Sequence, residues 1–257
     1  MEPISARRLL IVFSLTASFA CVCSAEELAA TPYRPSVSAP AALSAPGWLE
    51  VEMGAQRLKE GEARRDSLPF ALKLAFSPDW GLRIGGEASI RARAADGSTV
   101  SGFGDTSLIA KYRLSIDDAS AYGIEAGFKT PTARDELGSG KSDTLFNFIY
   151  SADEGKYHLD VNLSPTRLGL VDVGQSRWQT GWAVAMSRSL DENWSVVGEF
   201  SGTRQRGAPS TSQFLAAASY APNRRTVFDA GMAKGLTSYA TDLSLFFGVT
   251  YLAARIW

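Results

Sequence analysis

From Leu243 to Tyr251 a large apolar residue falls at every second position: Leu243, Leu245, Phe247, Val249 and Tyr251. Ser244, Phe246, Gly248 and Thr250 lie between them, and the chain runs on to a terminal Trp257. A period of two sends alternate side chains to opposite faces of an extended strand. A strand with one greasy face meets two different solvents. A last strand ending in an aromatic residue is what bacterial outer-membrane barrels present to their barrel-assembly machinery. Trp257 is the candidate signal here, and Arg255, where an apolar residue is usual, makes the match partial. Any half-buried strand could alternate this way, so the weight falls on the rest of the chain.

The rest repeats the pattern. Phe70, Leu72, Leu74 and Phe76 oppose Ala71, Lys73 and Ala75, and Leu82, Ile84, Gly86 and Ile90 oppose Arg83, Glu87 and Arg91. Leu108, Ala110, Tyr112 and Leu114 oppose Ile109, Lys111 and Arg113, and Tyr122, Ile124 and Phe128 oppose Glu125 and Lys129. Tyr157 to Leu163, Trp178 to Met186 and Trp194 to Phe200 continue it. The count reaches about twelve strands of roughly 8–12 residues, the length that crosses a bilayer at a tilt. Tight turns such as Asp117-Asp118, Asp153-Glu154-Gly155 and Asp191-Glu192-Asn193 alternate with longer polar loops. Those loops are read at Lys59–Asp66, Ala95–Gly102, Thr130–Ser142, Pro165–Ser176, Thr203–Ser212 and Gly235–Thr241. Short turns at one end and long loops at the other are the habit of membrane barrels. An even strand count puts both termini on the periplasmic side.

Export is expected from the first residues. Arg7 and Arg8 precede an apolar run from Leu9 to Val22 and the small residues Cys23-Ser24-Ala25, as in a secretory signal over residues 1–25. Acylation at Cys21 would need a better lipobox than Ser18-Phe19-Ala20. Both cysteines leave with that signal, so the mature chain has no disulfide or thiolate metal site. Residues 26–47, rich in Ala, Pro and Ser, read as a disordered periplasmic leader before a barrel over 48–257. Without Arg7, Arg8 and Glu2, the chain's 26 basic and 27 acidic residues leave a net charge near −2, which points away from nucleic acid. A mean hydropathy of −0.06 suits a membrane barrel, where only alternate residues face lipid.

A secreted β-sandwich or a lipocalin-like barrel would show the same alternation. Aromatic residues near strand ends (Trp48, Phe76, Trp80, Tyr112, Tyr122, Tyr157, Trp178, Trp194, Tyr220) favour a lipid interface. Long charged side chains at mid-strand positions favour a wet or ion-paired interior. The fold expected is all-β: a transmembrane antiparallel up-and-down barrel of about twelve strands in the bacterial outer membrane.

The polar faces carry the candidate site. Lys73, Arg83, Arg91, Arg93, Lys111, Arg113 and Lys129 are assigned to the lumen, with Glu87, Asp105 and Glu125 among them. Strands about 5 Å apart let such side chains pair across the wall. Two readings stand open: the charges satisfy one another and plug the interior, or one wall keeps a surplus of cations that draws anions in. Asp160, Glu199, Asp229 and Asp242 charge the other half more sparsely. An enzyme is not expected. His158 is the only histidine, and Asp160 stands two residues on, where an outer-membrane phospholipase carries its catalytic serine. Gly138-Ser139-Gly140-Lys141-Ser142 lacks the leading glycine and following helix of a phosphate loop. No metal ligand spacing and no cofactor motif is present.

Two segments resemble a known family. Gly102-Phe103-Gly104-Asp105, leading to Lys111-Tyr112, is similar to the strand opening of the meta-pathway phenol-degradation family of outer-membrane transporters. Lys129-Thr130-Pro131-Thr132 with Leu137-Gly138-Ser139-Gly140 resembles that family's Lys-x-Pro-Thr loop and its Gly-Ser-Gly tail, with Ala133 where Gly is frequent. The resemblance implies an outer-membrane barrel that admits aromatic or hydrophobic compounds. Pro131, Gly138 and Gly140 would build a constrained loop over the mouth, and Asp105 and Lys129 are expected to pair beneath it. The function expected is passive uptake of small organic solutes, aromatic or anionic. The alternative is a closed structural or adhesive barrel. Expected partners are outer-membrane lipid, the assembly machinery and a small solute; the oligomeric state is left open.

Overall fold

A computed structural model describes residues 28–257. The signal expected over residues 1–25 lies outside the described residues. The strands are β1 (Trp48–Glu60), β2 (Ala63–Ala75), β3 (Trp80–Arg93), β4 (Thr99–Gly102) and β5 (Thr106–Ser115). There follow β6 (Ser120–Thr130), β7 (Asp143–Glu154), β8 (Tyr157–Arg167) and β9 (Trp178–Ser189). The last are β10 (Trp194–Gln205), β11 (Thr211–Asn223), β12 (Thr226–Gly235) and β13 (Leu243–Arg255). Each long strand pairs antiparallel with its neighbour, and β13 returns to pair with β1 from Trp48↔Arg255 to Lys59↔Leu243. The sheet therefore closes on itself, with only the short β4 paired on one side alone. The result is the expected antiparallel barrel of twelve wall positions.

One position is shared. The inner half of β3 pairs with β5 (Trp80↔Tyr112 to Gly85↔Ser107), and its outer half pairs with β4 (Ile90↔Gly102 to Arg93↔Thr99). The stretch Phe103–Asp105 bridges the two halves, and Gly104 N–H donates to Glu87 O at 2.9 Å. Gly86 makes this crossing possible, because a Cβ there would meet Asp105 O at 2.8 Å.

The greasy faces point outward. Leu245, Phe247 and Tyr251 on β13, Leu82 and Ile84 on β3 and Ile124 and Phe128 on β6 are exposed. So continuous an apolar belt requires a lipid solvent. Tilted aromatic pairs mark its short-turn rim: Trp80 and Tyr112 at 4.7 Å, Tyr122 and Tyr150 at 5.5 Å, Trp194 and Tyr220 at 4.8 Å between ring centroids. The inner faces are polar, with Glu50, Glu52, Lys73, Lys111, Glu125, Asn162, Glu199 and Asp229 all buried.

The structure corrects three sequence expectations. Lys59–Asp66 is not a long loop: β1 and β2 run on to Glu60 and Ala63, leaving Gly61-Glu62 as the turn, and Gly61 adopts φ 56°. Much of Ala95–Gly102 belongs to β4. The third correction concerns side. Pro69 pairs with Glu87 and Ser67 with Ile90, so β3 spends three steps where β2 spends two. This bulge exchanges the two faces of β3 beyond it. Ile90 turns inward and is fully buried, while Arg91 and Arg93 are exposed and point away from the lumen to which their sequence parity assigned them.

The largest departure is the leader. Its described residues, 28–47, are not a disordered tail; they form a loop inside the barrel. Ala30 N–H donates to Arg224 O at 2.7 Å and Gly47 N–H to Ala75 O at 2.8 Å, so both ends of the loop lie at the short-turn rim.

Candidate functional site

The lumen loop is held by its backbone. Thr31 N–H donates to Glu50 Oε2 at 2.8 Å and Tyr33 N–H to Glu52 Oε1 at 2.7 Å. At the apex, Glu199 Oε2 accepts from the amides of Val37 and Ser38 at 2.9 Å each and from the Ser38 hydroxyl at 3.0 Å. On the way back, Ala39 exchanges two 2.9 Å bonds with the Asn162 amide, and Ala41 N–H donates to Ser151 Oγ at 2.7 Å. Small side chains and prolines suit this role, because proline has no amide to satisfy and the wall supplies acceptors for the rest. An ordinary core would require large apolar residues here. A polar lumen does not.

Side chains add few anchors. Arg34 reaches Asp229 at 3.3 Å through a slot left by Gly54 and Gly248, which face each other across β1 and β13. A Cβ at Gly54 would meet Arg34 Cζ at 2.7 Å. The Tyr33 ring sits amid cations, with Lys73 Nζ 4.0 Å, Lys111 Nζ 4.1 Å and Arg83 Cζ 5.7 Å from its centroid. Lys111 also donates to the Tyr33 hydroxyl at 2.9 Å and to Pro40 O.

Carboxylates neutralise the wall cations. Lys73 lies 2.5 Å from both Glu50 and Glu52, while Arg83 and Lys111 share Glu125 at 3.4 and 3.5 Å. Lys73, Arg83 and Lys111 are thus each within 4.0 Å of a carboxylate. At the level of the loop the carboxylates Glu50, Glu52, Glu125, Asp160, Glu199 and Asp229 outnumber the cations Lys73, Arg83, Lys111 and Arg34.

The loop divides the interior. Arg34, Pro35 and Ser36 line a cavity of about 250 Å³ toward the short-turn rim, with His158, Asn193 and Ser219 on its wall. Arg34 to Val37 also line a second cavity of about 310 Å³ toward the loop rim. Leu58, Leu215 and Phe246 give that chamber an apolar flank, and Gln56, Gln213 and Ser244 a polar one. The two cavities share Arg34, Pro35 and Ser36 as lining.

The remaining candidates fall at the rims. Lys129 Nζ lies 3.0 Å from Asp105 Oδ2, the pair expected from sequence, and 2.9 Å from Asp143 Oδ2. Asp105 Oδ1 accepts from Ala133 N–H at 3.1 Å, and a Cβ at Gly138 would meet that oxygen at 2.8 Å. Pro131 and Gly140 (φ 61°) shape the same loop, which is thereby pinned to the loop rim. Burial raises the Asp105 pKa, but the Lys129 ammonium and the Ala133 amide outweigh it and hold the carboxyl below the usual range. Glu87 pairs with Arg65 at 2.5 Å. Arg113 lies at the opposite rim beside Leu28 and Pro78 and has no ion pair among the described residues. His158 is held by Asp153 at 2.7 Å and Asp160 at 3.1 Å, which occupies both ring nitrogens. Trp257 lies beyond β13 against Gly47, and Ile256 N–H donates to Gly47 O at 2.7 Å.

Sequence reasoning missed Glu50, Glu52, Asn162, Ser151 and Arg34 as parts of one site. Glu50 and Glu52 alternate with Val51 and Met53, so β1 itself signalled an acidic inner face. Nothing in residues 28–47 alone signalled a partner.

No protein-family profile matches the chain, and no curated protein matches it. Solved structures do. An outer-membrane channel from Pseudomonas putida F1 is similar at 12% identity and a TM-score of 0.65, covering 82% of this chain and 97% of that one. The NanC porin (8% identity, TM-score 0.58) covers 79% of this chain and 98% of its own. The CymD monoaromatic hydrocarbon channel (11% identity, TM-score 0.51) covers 83% and 90%. The chain has the fold of outer-membrane channels and porins, and its apolar belt fits an outer membrane.

Proposed function

We propose that the protein is an outer-membrane channel for passive uptake of small organic solutes, with the loop of residues 28–47 as its gate. The carrying observation is the pair of chambers divided by Arg34–Val37. Because both ends of the loop lie at the short-turn rim, which faces the periplasm in this reading, the loop can withdraw without unthreading. Its anchors are hydrogen bonds, the Arg34–Asp229 ion pair and one small apolar contact of Tyr33, Ala39 and Ala41 with Ala121 and Ile149, and each hydrogen bond contributes only about 0.5–3 kcal/mol net.

The lining points to a neutral, amphipathic solute, including aromatic compounds. Phe246, Leu215 and Leu58 offer one apolar flank, while the paired cations leave no positive wall for an anion. The resemblance to the phenol-degradation family and the likeness to a monoaromatic hydrocarbon channel agree with this.

The test is solute entry into liposomes holding the refolded barrel, with an aryl glycoside, an aryl carboxylate and a hexose compared. Preferential entry of the aryl glycoside, faster after Glu199→Gln, is the expected result. Entry of no solute in either protein would leave the closed structural barrel, which the paired lumen also favours.

A further inference from the structure

The bulge in β3 places an unpaid electrostatic debt on the outside of the barrel. Beyond it, Arg91 and Arg93 face outward beside β2, whose outward residues there are Asp66 and Arg64. The register sets two rows across the wall. The lower row reads Arg57, Asp66, Arg91, and the upper row reads Lys59, Arg64, Arg93. Asp66 serves Arg57 and Arg64 at 2.6 Å each. Lys59, Arg91 and Arg93 have no carboxylate within 4.0 Å among the described residues, although Glu60 ends β1 and Glu62 and Asp96 lie in the turns just above. Like charges directly opposite on neighbouring strands are unfavourable, so a row of three cations calls for an external anion.

Depth supplies the second argument. On the adjoining strand β13, Leu245 and Leu243 stand level with Arg57 and Lys59. The cations therefore sit where the neighbouring wall is still apolar. Below them Ala55, Leu68 and Phe247 form the apolar floor of a groove of about 530 Å³ roofed by Arg57 and Arg91. Elsewhere on the loop rim, the exposed outward arginines Arg167 and Arg204 face no second cation directly across either neighbouring strand. At the other rim the turns carry Asp79, Asp117, Asp118, Asp191 and Glu192.

We propose that this patch is a binding site for a phosphorylated, acylated glycolipid of the outer leaflet, of the lipid A type. Arginine forks match phosphate oxygens in geometry as well as charge. Three strands spread the cations over about 10 Å, wider than one phosphate and suited to a headgroup carrying two. An acyl chain fills the groove beneath. The proposal rests on the membrane-barrel fold and not on transport.

The test is native mass spectrometry of the full barrel in detergent, titrated with bis-phosphorylated lipid A, monophosphorylated lipid A and phosphatidylglycerol. Wild type is expected to retain the bis-phosphorylated form most tightly. Each cation near an anionic headgroup is worth about fivefold in affinity, so Lys59→Gln/Arg64→Gln/Arg93→Gln should lose about a hundredfold. Arg188→Gln, at the other rim, should change nothing. Heat-modifiable gel migration reports folding separately, and if the triple variant fails it, Lys59→Gln/Arg93→Gln must show the smaller loss. Equal retention by wild type and variant, or equal retention of lipid A and phosphatidylglycerol, overturns the proposal.

Discussion

Arg34 and Asp229 stand 195 positions apart in the chain and 3.3 Å apart in the lumen. The contact exists because two glycines, Gly54 and Gly248, leave room for the guanidinium between β1 and β13. It ties the apex of the lumen loop to β12.

Arg34→Ala should free that side of the apex, and Gly248→Ala should act alike, since its Cβ would meet Arg34 Nε and lie 2.7 Å from Asp229 Oδ2. The described chain has no cysteine, so Ser36→Cys reports apex exposure cleanly. In intact liposomes a bilayer-impermeant maleimide should label Ser36→Cys faster in either background. The double change should add little to either alone, because both remove one interaction.

Glu199 holds the other side. Glu199→Ala leaves the Val37 and Ser38 amides without their acceptor, at about 1–3 kcal/mol for each buried donor left unsatisfied. Glu199→Gln keeps an oxygen and loses only the charge. Single-channel currents in planar bilayers should show longer open dwell times for Glu199→Ala than for Glu199→Gln, and shortest for wild type.

Lys73 is a matter of stability. It is 2% exposed and lies between Glu50 and Glu52. Lys73→Met keeps the shape but leaves two buried carboxylates facing each other, which costs about 3–5 kcal/mol when one partner of a buried pair is removed. Urea unfolding in vesicles should shift by that order, and Glu50→Gln/Glu52→Gln should recover part of it.

The loop over the mouth should respond to acid. Asp105 has a folded pKa below the value of about 3.9 for a free aspartate. The docking it provides is complete above that value and is lost as pH falls through the lower folded value. Protection of the Ala133 amide against hydrogen exchange should therefore persist to about pH 4 and collapse below it, and Asp105→Asn should remove the transition.

The amino-acid sequence alone determined the barrel. Alternation at Leu243–Tyr251 and along its predecessors settles which face is greasy, since the side-chain period of an extended strand is a local property. The Asp105–Lys129 pair was legible for the same reason: both lie at ends of adjacent strands. Tertiary structure alone decided the rest. The bulge in β3 reverses Arg91 and Arg93, because one extra residue against β2 exchanges the faces, and no periodicity within β3 reveals its partner's count. The loop of residues 28–47 reads as disordered because it lacks the apolar area that orders a chain in water. Its order comes from Glu50, Glu52, Asn162 and Glu199, acceptors that only the closed lumen brings within reach of its backbone, and from the small apolar patch of Ala121 and Ile149 that receives Ala39 and Ala41.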